Sequence, residues 1–382
     1  MSDLYKLVIP DEGVLAGLRR FFRSILELES IQAILAPVQL PMKPSVMPAL
    51  ISDPDQIDHC DPLAPSFPLN AAKVVSQLTR NPIGGTVAVF LRSCEIRAFI
   101  ELVKLKQGTL DEVVIIGMDC PGAFQNASYR RFVQSCTEDP GATFFNQIQK
   151  KDTAFPGNID LAEACKACEH FTPDGADIAI GWLGMASEDH FLLKGQTDRG
   201  LDVLKQLKLP EAAAPLMRHG AIADMLAKRL AYRDDMFATT HAATSNLKKL
   251  TAYLADCVNC YNCRVVCPVC YCRECVFVTD VFDHDASQVL KWSQRRGLVK
   301  LPADTVFYHL TRLAHMSTAC VGCGQCSNAC PNDIPVMELF RSVAEKTQNA
   351  FGYEAGRSVD DAPPLSVFRE NEFEDVVGIK GE

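Results

Sequence analysis

Two cysteine runs with the same internal spacing constrain this chain more than any other feature. CVNCYNCRVVCP places Cys257, Cys260, Cys263 and Cys267 ahead of Pro268, and CVGCGQCSNACP places Cys320, Cys323, Cys326 and Cys330 ahead of Pro331. Each reads CxxCxxCxxxCP. Three thiolates so closely spaced wrap three corners of a cubane, and the fourth, beside a turn marked by proline, reaches toward another. The ligand sets are therefore expected to cross. Cys257, Cys260, Cys263 and Cys330 would hold one 4Fe-4S cluster, and Cys320, Cys323, Cys326 and Cys267 the other. Zinc favours tetrahedral sites of four ligands and has no use for two complete duplicated runs.

The rest of the composition narrows the setting. A chain of 382 residues, 48% of them apolar, is long enough for two or three domains with sizeable cores. With 38 basic against 47 acidic residues the net charge is −9, which disfavours nucleic acid or an anionic membrane surface as partner. MSDLYKLVIPDEG lacks the regions of a signal peptide, and no run approaches the roughly 18 apolar residues of a membrane span. A cytoplasmic location is expected. Thiols stay reduced there, so the 17 cysteines read as metal ligands rather than as a disulfide framework. Cys270, Cys272 and Cys275 exceed what two cubanes need; spare thiols, alternative ligands and part of a further site are all open readings. Cys60 and Cys136 match no pattern.

Along the chain, residues 1–60 combine a helical pattern over Leu15–Leu28 with Pro-rich extended sequence around Pro37–Pro48, carry no motif, and stand apart as a segment of unknown role. From Asn70 the texture alternates between helix and strand. A helix over Ala71–Leu78 precedes the apolar run Thr86–Leu91; a helix follows in which Ile96, Phe99, Ile100 and Val103 share one face. Val113–Gly117 and Ile178–Trp182 are further short strands of the kind buried in a parallel sheet. The expected fold is an α/β domain with parallel strands over residues 61–212. A helical connector, 213–254, leads to a ferredoxin-like domain at 255–345, enlarged by helices such as Thr305–Met316. Residues 346–382 form a tail, with SVDDAPP and NEFEDVV, either solvated or laid along a partner.

Cys94 follows the strand Thr86–Leu91 and Cys120 follows Val113–Gly117, so both stand beyond the carboxyl ends of neighbouring strands, the edge at which open α/β sheets bind ligands. Cys165 and Cys168 add a CxxC ahead of the third strand. Together they form a candidate ligand set for a third 4Fe-4S cluster, against the plain alternative of buried core thiols. Here the sequence resembles a known family, the beta subunits of coenzyme F420-reducing hydrogenase and of formate dehydrogenase. VFLRSCEIRAFIEL around Cys94 is similar to the family's PCQIQAL-like segment, IIGMDC at Cys120 to its GLFC-like segment, and CKACEHFTPDGADIAIGWLG to its CxxCxDF segment and following strand; QTDRG at 196–200 is similar to its RTxxG-like strand.

The resemblance covers roughly residues 70–210 and implies an iron–sulfur flavoprotein subunit. FAD would exchange a hydride with F420 or a nicotinamide, or single electrons with ferredoxin, as soluble carrier, and clusters would pass electrons singly to the catalytic subunit of a formate dehydrogenase, hydrogenase or heterodisulfide-reductase-type complex. Such a subunit works in complex, and no residue here is assigned to catalysis. Gly181, Trp182 and Gly184 either line the isoalloxazine or only turn the strand and fill the core. Arg92 and Arg97 are either surface charges or stabilisers of a reduced group near Cys94. The family's Gly-rich segment has no counterpart in PLAPSFPLNAAKVVSQLT, and His170 stands where the family has Asp. A flavin-free relay and docking subunit is the alternative.

Overall fold

The computed structural model describes residues 3–41, 43–150, 155–185, 189–272 and 274–367. Its apolar runs assemble one seven-stranded sheet: β1 Leu4–Val8, β2 Ile31–Gln39, β3 Val46–Ile51, β4 Thr86–Leu91, β5 Val113–Met118, β6 Ile178–Gly181 and β7 His190–Gly195. The spatial order is β1-β7-β6-β5-β4-β2-β3. Strands β2, β4, β5 and β6 run parallel, and antiparallel strands close both edges. Residues alternate across a strand. Leu35, Val87, Val89 and Ile115 thus face one core, and Ile34, Ala88, Phe90 and Val114 the other.

Helices cover both faces. α1, Val14–Leu26, buries Leu15, Leu18, Phe22 and Ile25 on one side, each worth about 1.5–3 kcal/mol of transfer free energy. α2, Ala72–Leu78, and α3, Ser93–Lys104, cover the other. Between β5 and β6 lie α4, Asn126–Ser135, α5, Pro140–Gln149, and the single turn α6, Glu163–Lys166; α7, Asp198–Gln206, follows β7. The C-terminal part comprises α8, Arg218–Thr244, α9, Leu247–Tyr253, α10, Asn262–Val265, α11, Ala286–Arg296, α12, Thr305–Met316, α13, Gln325–Asn328, and α14, Val336–Ala350. Tyr308, Leu313, Val336 and Phe340 share one apolar core with α3, so the two parts of the chain pack as a unit.

Two expectations change. The segment 1–60, set apart in the sequence, supplies β1, β2 and β3 of the sheet. Its prolines concealed this: Pro48 lies on the edge strand and Pro37 faces it beyond the last β2–β4 partners, Leu35 and Val89, where no ladder donor is needed. Residues 213–254, expected as a helical connector, contain α8 and α9 and lie against the sheet domain. Arg218 of α8 makes a two-pronged ion pair with buried Asp119, at 2.5 and 2.8 Å, and Arg229 donates to the Cys120 carbonyl at 3.3 Å. QTDRG also ends differently from the resemblance, with Thr197 capping α7 through its hydroxyl instead of extending a strand.

The start of the tail is an arm docked on α3. Buried Glu101 accepts from the Tyr353 hydroxyl and the Gly356 amide, each at 2.6 Å, and pairs with buried Lys104 at 2.6 Å. Arg97 donates to the Ala355 carbonyl at 2.6 Å. NEFEDVV lies outside the described residues. Gly356 has φ +77°, and a Cβ there would stand 2.4 Å from Arg97 Cβ. Gly356→Ala is expected to cost about 1–3 kcal/mol and to speed protease cleavage between residues 351 and 367, measured by denaturant melts and timed digestion; an unchanged digestion rate would show that the arm is not held at this point.

Candidate metal centres

The duplicated runs fold as duplicates. In the first, Asn259 and Tyr261 adopt positive φ, 50° and 61°, ahead of the single turn α10; in the second, Gly322 and Gly324 do so, at 68° and 79°, ahead of α13. Glycine suits the second run because its neighbours come close. A Cβ on Gly324 would lie 2.4 Å from Ala164 Cβ of α6, and one on Gly322 would lie 2.9 Å from Arg341.

These turns bring the thiols together across the runs. Cys257, Cys260, Cys263 and Cys330 line one cavity, with Tyr308, His309, Ile334 and Val336. Cys267, Cys320, Cys323 and Cys326 line a second, with Arg312, Met316 and Phe340. Both are almost wholly apolar apart from sulfur. Cys260 is exposed while the rest of its set is buried or half-buried. Burial pushes the thiols of Cys320, Cys323 and Cys326 up, and that of Cys267 to about 12. Charging them away from water is costly unless a metal takes up the charge, because a coordinating thiol is deprotonated outright.

A third cavity lies at the carboxyl edge of β4 and β5 and is lined by Cys94, Cys120, Cys165 and Cys168, together with Phe67, Arg92, Ala164, Arg229 and Cys323. Cys94 opens α3. Its position is fixed by Glu95, whose buried carboxylate accepts from the Arg92 amide at 2.8 Å and the Ala71 amide at 2.7 Å. Cys120 sits just past β5, its amide donating to the Phe171 carbonyl at 2.7 Å. Burial raises the Cys94 and Cys120 thiols and takes Cys165 to about 12, while Arg92 and Arg229 pull Cys120 back down. Neither guanidinium is an ordinary surface charge: Arg92 stacks over Phe67 and Arg229 over Phe171. Arg97, also open to a surface reading in the sequence, is only 8% exposed.

The second and third cavities share Cys323 and Gly322. Asn70 stands at this boundary: its Oδ1 accepts from the Ala72 amide at 3.1 Å, as a helix cap would, and its buried Nδ2, without an oxygen or nitrogen partner, faces Cys323. Among the described residues no three His, Cys, Asp or Glu side chains converge as ligands of one ion. Each set instead rims a cavity, the disposition that a multi-metal cluster requires. Cys60 is buried in the sheet core, and Cys136 packs against the aromatic cluster that contains Phe132 and Phe144. Cys270 and Cys275 pack against the main core while Cys272 is exposed, and none of them lines the three cavities.

The residues named for FAD sit in a different environment. The space beside Gly181 and Gly184 is filled by Arg218, at 2.7 and 2.5 Å from where a Cβ would be. Trp182 is buried, its indole donating to the Asp119 carbonyl at 2.7 Å and its ring meeting Phe145 edge-on. They fill core around the Asp119–Arg218 pair and do not fit as a flavin cradle. The signal that sequence reading lacked was Arg218, remote in sequence.

Comparison with known proteins agrees with the motifs. Residues 84–212 match the family model for the C terminus of the coenzyme F420 hydrogenase/dehydrogenase beta subunit, and residues 253–334 the 4Fe-4S dicluster domain. The beta subunit of an F420-dependent formate dehydrogenase from Methanocaldococcus jannaschii is 25% identical over 390 residues, covering 93% of this chain and 96% of that protein. Formate dehydrogenase 1 subunit beta of Methanococcus maripaludis, also F420-dependent, is 28% identical over 310 residues, covering 73% and 74%. A chain of the F420-reducing NiFe hydrogenase complex from Methanosarcina barkeri superposes with a TM-score of 0.45 at 13% identity, covering 64% of this chain and 93% of that one.

The crossing of the ligand sets can be tested by iron arithmetic. Cys330→Ala combined with Cys257→Ala is expected to lose about four irons, the content of one cubane, whereas Cys330→Ala combined with Cys320→Ala loses about eight. Equal losses in the two double variants would contradict the crossed pairing.

Proposed function

We propose that this chain, in which the C-terminal region of the beta-subunit family is followed by a dicluster domain, is the iron–sulfur electron-transfer subunit of a formate-dehydrogenase- or hydrogenase-type oxidoreductase. The observation that carries the reading is the file of three cysteine-lined cavities running from the sheet edge at Cys94 and Cys120 to the exposed Cys260, with the second and third sharing Cys323. In this reading the third set, Cys94, Cys120, Cys165 and Cys168, holds a cluster of its own. Bound clusters supply one-electron transfer, at potentials set by hydrogen bonds, burial and local charge.

The chain's own residues supply the surroundings. Arg92 and Arg229 offset negative charge at the third cavity, Asn70 presents an amide to Cys323, and Gly324 lets α6 approach closely enough for two cavities to adjoin. Among the described residues no helix is long and apolar enough to cross a membrane. The names of the relatives point to F420 as the two-electron carrier and to formate oxidation as the setting, with a catalytic subunit as partner; a heterodisulfide-reductase-type complex is a setting of the same class. A flavin on this chain is the second reading, and it would lie away from Gly181–Gly184.

Iron, acid-labile sulfide and flavin are to be measured on anaerobically purified protein. About twelve irons are expected, falling to about eight in Cys94→Ala/Cys165→Ala, as three cubanes require. About eight in the parent, unchanged in the variant, would remove the third cluster. One FAD per chain would establish the flavin reading; none would leave a relay subunit.

A further inference from the structure

The segment between the two cysteine runs is longer than a two-cluster module needs, and one of its helices is built unusually. α12 buries Thr305, Tyr308, His309, Arg312, Leu313 and Met316, the face expected of an amphipathic helix. Apolar side chains would ordinarily fill such a face. Here its centre is Tyr308, His309 and Arg312, which are 0%, 1% and 4% exposed.

All three point at sulfur. Arg312 Nη1 donates to Cys263 Sγ at 3.1 Å and Nη2 to the Cys263 carbonyl at 3.1 Å. The Tyr308 hydroxyl lies 3.4 Å from the same Sγ, and His309 Nε2 lies 3.4 Å from Cys257 Sγ. Arg312 is held flat against Phe340, its guanidinium carbon 4.6 Å from the ring centroid, and no carboxylate pairs with it among the described residues. An unpaired buried guanidinium is costly. The negative charge of a thiolate-bound cluster is the compensation within reach, and Arg312 lines the second cavity as well as touching the first set.

We infer that α12 raises the reduction potential of the first cluster, at Cys257, Cys260, Cys263 and Cys330, through Arg312 and Tyr308. Donors and positive charge directed at ligand sulfurs favour the more negative, reduced state of a cluster. Arg312 acts on both sites and Tyr308 on the first, whose ligand Cys260 is exposed, while the second has the Asn70 amide at Cys323 and the guanidinium groups of Arg97 and Arg341 near Cys320. A raised potential favours an electron on the cluster that has the exposed ligand Cys260, where a redox partner can take it. This inference rests on the dicluster part of the proposed function and not on its third cluster.

The test is an EPR-monitored redox titration of the full chain, with iron content measured in every variant. Tyr308→Phe removes one oxygen and keeps the ring packing. It is expected to retain its iron and to lower the midpoint of one signal, the signal that disappears in Cys330→Ala. Arg312→Gln is expected to lower that midpoint further and to move the second cluster's as well, with Arg312→Lys between parent and Gln. Unchanged midpoints in iron-replete Tyr308→Phe and Arg312→Gln overturn the inference, as does a shift confined to the signal that survives Cys330→Ala. Should Arg312→Gln lose iron, Tyr308→Phe decides alone. A parent with about eight irons instead of about twelve leaves the comparison intact, so failure of the third cluster and failure of this inference are told apart.

Discussion

The structure depends on the burial of soft, chargeable sulfur. Three sets of cysteines line largely apolar cavities, where a lone thiolate is disfavoured and burial is the main cause raising the thiols of Cys94, Cys267 and Cys326. Metal ligation at these sets would remove that penalty and turn a destabilising array into a structural core. Bound clusters would couple folding to cluster assembly, as is general for metal-dependent domains. The apolar walls that disfavour charge on the thiols would also limit water at the second and third sets, while the first opens to solvent at Cys260.

Around this array the chain distributes positive charge with little surplus. Arg92 and Arg229 flank the third cavity and Arg312 the first two. Beside the second and third, and sharing Gly322 with both, lies a polar cavity of about 350 Å³ lined by Arg97, Glu169, His170, Arg233, Arg341 and Glu354. Arg341 pairs with Glu169 there, and Arg97 is tied to the C-terminal arm. The arm, α8 and α14 thus hold the dicluster domain against the sheet edge through ionic and hydrogen-bonded contacts, in addition to the shared apolar core. Rigid placement matters for a relay, since electron transfer falls off steeply with separation.

What could be read in the sequence was local. The ligand spacing of each run, the strand Thr86–Leu91 and the helix Thr305–Met316 depend on residues near one another, and the structure has both elements at those bounds. The period of the apolar residues puts Cys94 and Cys120 at strand ends, and the structure brings them to one cavity with Cys165 and Cys168. What was hidden depends on partners far along the chain. β1 becomes a strand by pairing with β7, and the two prolines of the β2–β3 pair masked that hairpin. Gly181 and Gly184 are glycine because Arg218 arrives beside them, and Arg97 is buried because residue 355 reaches back to it. The polar face of α12 was present in the sequence at Tyr308, His309 and Arg312, but only the fold shows which side is turned to the sulfurs.

If the three cysteine-lined cavities hold one continuous file of clusters, EPR spectra of the fully reduced protein will carry its signature, because neighbouring paramagnetic clusters broaden and split one another's signals. Magnetic interaction among the clusters is expected, with part of it lost when Cys94 and Cys165 are both replaced by alanine while the dicluster signals remain. Sharp, non-interacting signals in the parent, unaltered by that replacement, would contradict the file.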